Sequence, residues 1–237
     1  MAEINEGFTF AGKSTMESGY RLVGREAPSP SEKVIVESVP FMHGVYDFSS
    51  ILGERVFENR NITYQLLLPK RSYPSRKIAE IKIKQWLMTA GIQPLYDTHD
   101  IGYYWLGKFT EVTVEDSHTD NALVVSATFD CYPFMVAEQA EGNDIWDTFN
   151  FELDVAQTVS YEVNGSKEIT LYNVGSRGSV PQITASSAMS LEKNGVIFNV
   201  PSGTTKDELF RLEVGENPIK ITGAGTIKFE FYKEVMA

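Results

Sequence analysis

One stretch of this sequence, Pro74 to Ala90 (PSRKIAEIKIKQWLMTA), spaces its apolar residues at a helical interval, while the other patterned stretches alternate with a period of two. Ala79, Ile83, Trp86, Leu87 and Ala90 fall on one stripe, with Glu80, Lys82, Lys84 and Gln85 largely elsewhere. Pro74 suits a first helical turn, Gly91 reads as a left-handed C-cap, and Pro94 bars resumption. A chain with a single helix must close its core mostly with strands, so the fold class is mainly β.

The strands are legible from alternation. Asn61 to Leu68 (NITYQLLL) and Val34 to Val39 (VIVESV) are rich in β-branched and large apolar residues. Glu111 to Glu115 sets Val112 and Val114 on one face. Ala122 to Phe129 sets Leu123, Val125, Ala127 and Phe129 together. The polar run Asp116 to Asn121 between them predicts a hairpin. Further on, Phe149–Val155, Thr158–Val163 and Glu168–Tyr172 read as short strands. Asn164-Gly165 is expected as a turn between the last two, and Asn194-Gly195 as a turn between Met189–Glu192 and Val196–Val200. Ile227, Phe229 and Phe231 form the buried face of a late strand. Turn signals at this density predict a β-sandwich in the second half. In SATFDCYPF (residues 126–134), Pro133 is expected to end the last strand of the first domain, because proline cannot donate to a ladder. The acidic, polar run from Ala137 to Asp144 then reads as the connector.

Charge narrows the function. A net charge of −11 over 237 residues argues against direct nucleic-acid binding, which needs clustered Lys and Arg, and against adsorption to anionic lipid. No segment approaches the roughly 18 consecutive apolar residues of a membrane span. The first ten residues have neither the basic start nor the apolar run of a secretory signal, and one cysteine permits no internal disulfide.

Candidate chemistry is sparse. Cys131 would need a histidine to hold it as thiolate, and His43, His99 and His118 lie in separate segments. It reads as a small packed side chain. The carboxylate pairs Glu111/Glu115 and Asp144/Asp147 could in principle run a glycosidase, but among 32 acidic residues they read as solvated faces. No residues stand at zinc or EF-hand spacing. Gly175–Ser179 (GSRGS) and Gly223–Gly225 (GAG) lack the lysine of a phosphate loop and read as turns. No catalytic, cofactor-binding or metal-ligating residue is therefore assigned. Two aromatic groups, Tyr103-Tyr104-Trp105 and Trp146, Phe149 and Phe151, are expected mainly in cores, with a sugar-stacking platform or protein interface as the other uses.

The order of local patterns goes further. GFTFAGKSTMESGYRLV is followed by VPFMHGVYDFSS (Val39 to Ser50), ERVFENRNITYQLLL (Glu54 to Leu68) and WLMTAG (Trp86 to Gly91). Then come YYWLGKFTEVTVE, SATFDCYPF and LYNVGSRGSVPQITA (Leu171 to Ala185). This series resembles the distal tail protein (Dit) family of long-tailed bacteriophages with non-contractile tails. Met42 to Val45 departs from it, since the family often carries an Arg-Asp-containing turn there.

The resemblance implies a fold and a role. The expected fold is a β-sandwich or split-barrel-like N-terminal domain with one helix (residues 1–136), then a galectin-like β-sandwich (137–237). The expected role is structural and non-enzymatic, without cofactor, in the virion tail tip, after synthesis in the bacterial host cytoplasm. N-terminal domains would build a homo-hexameric ring around the DNA exit channel. The ring would join the tail tube protein to a lysin-like tail-tip hub protein, with the tape measure and receptor-binding proteins as further partners. Glu54 and Glu58 would then help form a negative channel wall that lets DNA pass without holding it. The residues alone also leave open a carbohydrate-binding module for host-surface glycans and a tail-associated hydrolase.

Overall fold

The computed structural model describes residues 6–51, 53–143 and 150–237. The chain forms two compact units. One comprises Met1–Asp100, Tyr104–Met135 and Ala237; the other comprises Ile101–Tyr103 and Val136–Met236. Among the described residues the fold is mainly β with one α-helix.

The first unit contains β1 (Phe8–Phe10), β2 (Lys13–Ser14), β3 (Arg21–Glu26), β4 (Val36–Glu37), β5 (Tyr46–Asp47) and β6 (Arg60–Leu68). After these come α1 (Tyr73–Thr89), β7 (Gln93–Asp97), and most of β8 (Tyr103–Ser117) and β9 (Ala122–Ala137). The main sheet runs β2-β1-β7-β8-β9-β6-β3. Its register follows the sequence pattern: Ile62, Tyr64 and Leu66 pair with Phe129, Ala127 and Val125, so one face of both strands is buried throughout. Phe129 sits at the centre of an aromatic cluster, with ring centroids 5.3 Å from Phe8, 5.0 Å from Phe10 and 5.9 Å from Tyr64. The helix covers that cluster through Ile83, Trp86 and Leu87, as its stripe predicted. It does not end on a left-handed Gly91. Ala90 is already extended, and the chain passes within three residues into β7.

Two further expectations fail here. Val34 to Val39 forms only the two-residue β4, because no second layer covers it and its apolar side chains stand in solvent. Nor does Pro133 end a strand: β9 continues to Ala137. The ladder with β6 stops at Cys131, so that neighbour asks no donor of Pro133.

The second unit contains β10 (Ser160–Asn173), β11 (Gln182–Ala185), β12 (Met189–Lys193), β13 (Val196–Val200), β14 (Gly203–Lys206), β15 (Gly215–Glu230) and β16 (Glu234–Val235). Strand β15 is its spine. It pairs with β10 along fourteen residues, from Gly215 to Lys228. On its other edge it pairs first with β12 and then with β11. Ile221, Ile227, Phe229, Phe210 and Leu191 fill the core. Asn164-Gly165 makes no turn. It lies within β10, opposite Ala224 and Gly223, because the long partner strand outweighs a local turn preference. Asn194-Gly195 does turn, with φ of 53° and 76°, between β12 and β13. The GAG stretch is also strand. A Cβ on Gly223 would stand 2.7 Å from Met189 Cγ, and one on Gly225 2.3 Å from Ser186 Oγ. The glycines leave room for the chain that links β11 to β12 across this edge. Phe151–Leu153 forms a turn, not a strand; Trp146, Phe149 and the Asp144/Asp147 pair lie outside the described residues.

Candidate functional site

The sequence offered Cys131 as its one reactive group. The structure buries it completely in β9, against Gly107 of β8, where an added Cβ would meet Sγ at 2.6 Å. Burial first, and then the charge of Asp130, push its thiol up to about 12. His99 and His118 make their contacts elsewhere. His99 Nδ1 lies 3.2 Å from Asp97, and His118 stacks on Tyr73 at 5.8 Å. A raised pKa leaves the fold unpenalised below the unfolded thiol's value, near 8.5, and stability falls as pH rises from there toward 12. At pH 8, alkylation of native Cys131 is expected to run at least ~100-fold slower than in the unfolded chain, as mass spectrometry of iodoacetamide-treated samples would show. Comparable native and unfolded rates would return Cys131 to the list of functional groups.

The densest polar cluster is a support for the sheet. The fully buried Asp97 carboxylate accepts from Arg25 Nε at 2.5 Å, Tyr64 Oη at 2.7 Å and the His99 backbone N–H at 3.0 Å. Asp100 accepts from Arg25 Nη2 at 2.5 Å and Trp105 Nε1 at 2.8 Å. Arg60 stacks over the Trp105 ring at 4.5 Å and donates to the carbonyls of Ala27 and Ala237. These bonds tie β3, β6, β7 and β8 together. Sequence reasoning missed it because Arg25 and Tyr64 stand 72 and 33 residues from the Asp97 they bond. Among the described residues no three His, Cys, Asp or Glu side chains converge to hold a metal. No helix among these residues is long and apolar enough to cross a membrane.

The second unit holds a cavity of about 480 Å³ lined by Tyr103, Glu141, Asn143, Phe151, Asp154 and Lys233, among others. Lys233 is buried, pairs with Asp154 and sits over the Tyr103 ring at 5.5 Å. That ring face is therefore taken by an ammonium and is not open to stack a sugar. Of the expected aromatic groups, Trp105 is core, Tyr103 and Tyr104 are half-buried, and Phe151 is exposed.

What stands out is surface. Residues 31–58 leave the first unit's sheet as a two-stranded arm. Its base is set by Lys33 N to Val56 O and Glu58 N to Ser31 O, and farther out β4 pairs with β5. Val34, Val39, Phe41, Val45, Tyr46 and Ile51 are all exposed on it, Ile51 by 74%. Isolated exposed apolar side chains are ordinary, but a run of this density in one element marks a contact surface. At the tip, Met42 N bonds back to Val39 O, and Phe41 has φ +69°, a turn position that normally takes glycine. An aromatic held there at a cost of about 1–3 kcal/mol, and fully exposed, gives the folded monomer nothing in return. A second apolar stripe lies on the outer face of α1, where Ile78, Ile81 and Met88 are exposed.

The two units and their strand order make a mainly β fold that is also found among solved structures. Over 97% of this chain and 98% of the other, it superposes on the Dit (gp 19.1) protein of phage SPP1, described as a paradigm of the hub adsorption apparatus in phages infecting Gram-positive bacteria, with a TM-score of 0.66 at 11% identity. Chains of the phage P2 baseplate in its activated conformation also match, at 8% and 9% identity over 98% of both chains, with TM-scores of 0.45 and 0.43. No family model and no curated protein sequence matches the chain.

Proposed function

We propose that this protein is a non-enzymatic structural component of a phage tail tip, a distal tail protein whose copies form a hexameric ring between the tail tube and the tail-tip hub. The observation that carries the reading is the whole-length fold shared with SPP1 Dit. The apolar arm and helix face support it, because a ring subunit needs sticky surfaces that meet the same partner each time. In this reading the first unit builds the ring and the second, a galectin-like sandwich, faces outward. The tube protein, a lysin-like hub protein, the tape measure and receptor-binding proteins are its neighbours, and the DNA exit channel runs through the ring. The protein is made in the bacterial host cytoplasm and carried in the virion. The glycan-binding alternative asks for open coplanar rings, and the Tyr103 face at the second unit's cavity is occupied by Lys233.

Cryo-electron microscopy of the intact particle, with gold-labelled antibody against this chain, tests the proposal. The expected result is label at the distal end of the tail and six copies around its axis. Label on the capsid, or a particle without the protein, would overturn it.

A further inference from the structure

The arm and the outer face of α1 are both exposed in the same folded chain, so a chain's own arm does not cover its own helix. Their charges are opposite. Residues 31–58 carry the acids Glu32, Glu37, Asp47, Glu54 and Glu58 against Lys33 and Arg55. Residues 70–90 carry six basic residues and one acid, Glu80, in a chain whose net charge is −11. Asp116 is set against Arg76 and Lys77, and Glu80 against Lys77 and Lys84, which still leaves the helix segment a cationic excess at Lys70, Arg71 and Lys82. Two arms would repel each other, and so would two helix faces. An arm against a helix attracts, and the apolar stripes then meet.

Reach is sufficient as well. The outer stripe from Ile78 to Met88 spans about 15 Å at the helical rise. An extended arm of some thirteen residues each way can project up to roughly 40 Å.

From these observations we infer that the 31–58 arm of one copy seats on the outer face of α1 of the next copy, Phe41 and Ile51 packing against Ile78, Ile81 and Met88. The contact is head-to-tail: each chain gives an arm and receives one, so the arrangement propagates and closes as a ring when the rotation allows. This inference rests on the self-assembly reading above and names its surfaces. It also moves Glu54 and Glu58 from the channel wall to the junction, facing lysines.

Mixing two variants tests it. Phe41→Asp/Ile51→Asp spoils the arm, and Ile78→Asp/Ile81→Asp spoils the helix face. All four positions are exposed, so both variants should melt with the parent by circular dichroism; the corresponding serine variants serve if either does not. In sedimentation velocity, each variant alone is expected to self-associate at least ~100-fold more weakly than the parent, as loss of central anchors does. Mixed in equal amounts, they should form a heterodimer and stop there, because the pair retains one intact arm–helix junction. A mixture that stays monomeric, variants that assemble like the parent, or a parent monomeric even at millimolar concentration would each overturn the inference. None of these results bears on where the protein sits in the particle, so the tail-tip reading stands or falls separately by microscopy.

Discussion

Trp86→Ala is expected to destabilise the first unit by about 3–5 kcal/mol, the range for removing a large buried aromatic from a packed core. Trp86 is only 8% exposed and lies over the Phe8 ring, with centroids 6.0 Å apart. Its indole N–H donates to the Phe10 carbonyl at 2.9 Å. The substitution therefore opens a cavity and frees an acceptor at the same place, and it loosens the helix from β1. A denaturant titration followed by circular dichroism measures the loss. A variant as stable as the parent that no longer self-associates would place Trp86 in an interface instead.

Asp97→Ala is expected to cost a similar amount, about 3–5 kcal/mol, by a different route. Removing this carboxylate leaves the Arg25 guanidinium and the Tyr64 hydroxyl without their shared acceptor inside the sheet. Breaking one side of a buried pair costs far more than removing both. The double variant Asp97→Ala/Arg25→Met should therefore recover part of the loss, and the cycle isolates the pair. Arg25 is partly solvated, with a fifth of its side chain exposed, which keeps Asp97→Ala toward the lower end of the range. Urea unfolding of the four proteins decides the matter. Losses that simply add, or an Asp97→Ala loss below about 1 kcal/mol, would show that the network does not hold the sheet.

Both effects arise in the first unit, and they differ in how visible they were in advance. Trp86 could be assigned to the core from spacing alone, since a helical stripe declares which side is buried. Asp97 could not. Its partners come from β3 and β6, and nothing local to Gln93–Asp97 announces a buried acid. The same division separates Cys131 from the arm. A lone cysteine on an alternating strand reads correctly as a packed side chain. Val34 to Val39 reads wrongly as an ordinary strand, because apolar composition does not say whether a second layer will arrive to cover it.

By itself the sequence determined whatever depends on neighbours a few residues apart. That includes the single helix and its buried stripe, the β8–β9 hairpin, the buried faces of β6, β9 and β15, and the turn at Asn194-Gly195. Only the tertiary structure decided whatever depends on a distant partner. Asn164-Gly165 is strand because β15 runs beside it for fourteen residues. Gly223 and Gly225 lie within a strand because Met189 and Ser186 cross there. Pro133 lies inside β9 because the β6 ladder has already ended. The reason is common to all three: a local preference near 1 kcal/mol yields to a ladder and a core assembled from far along the chain.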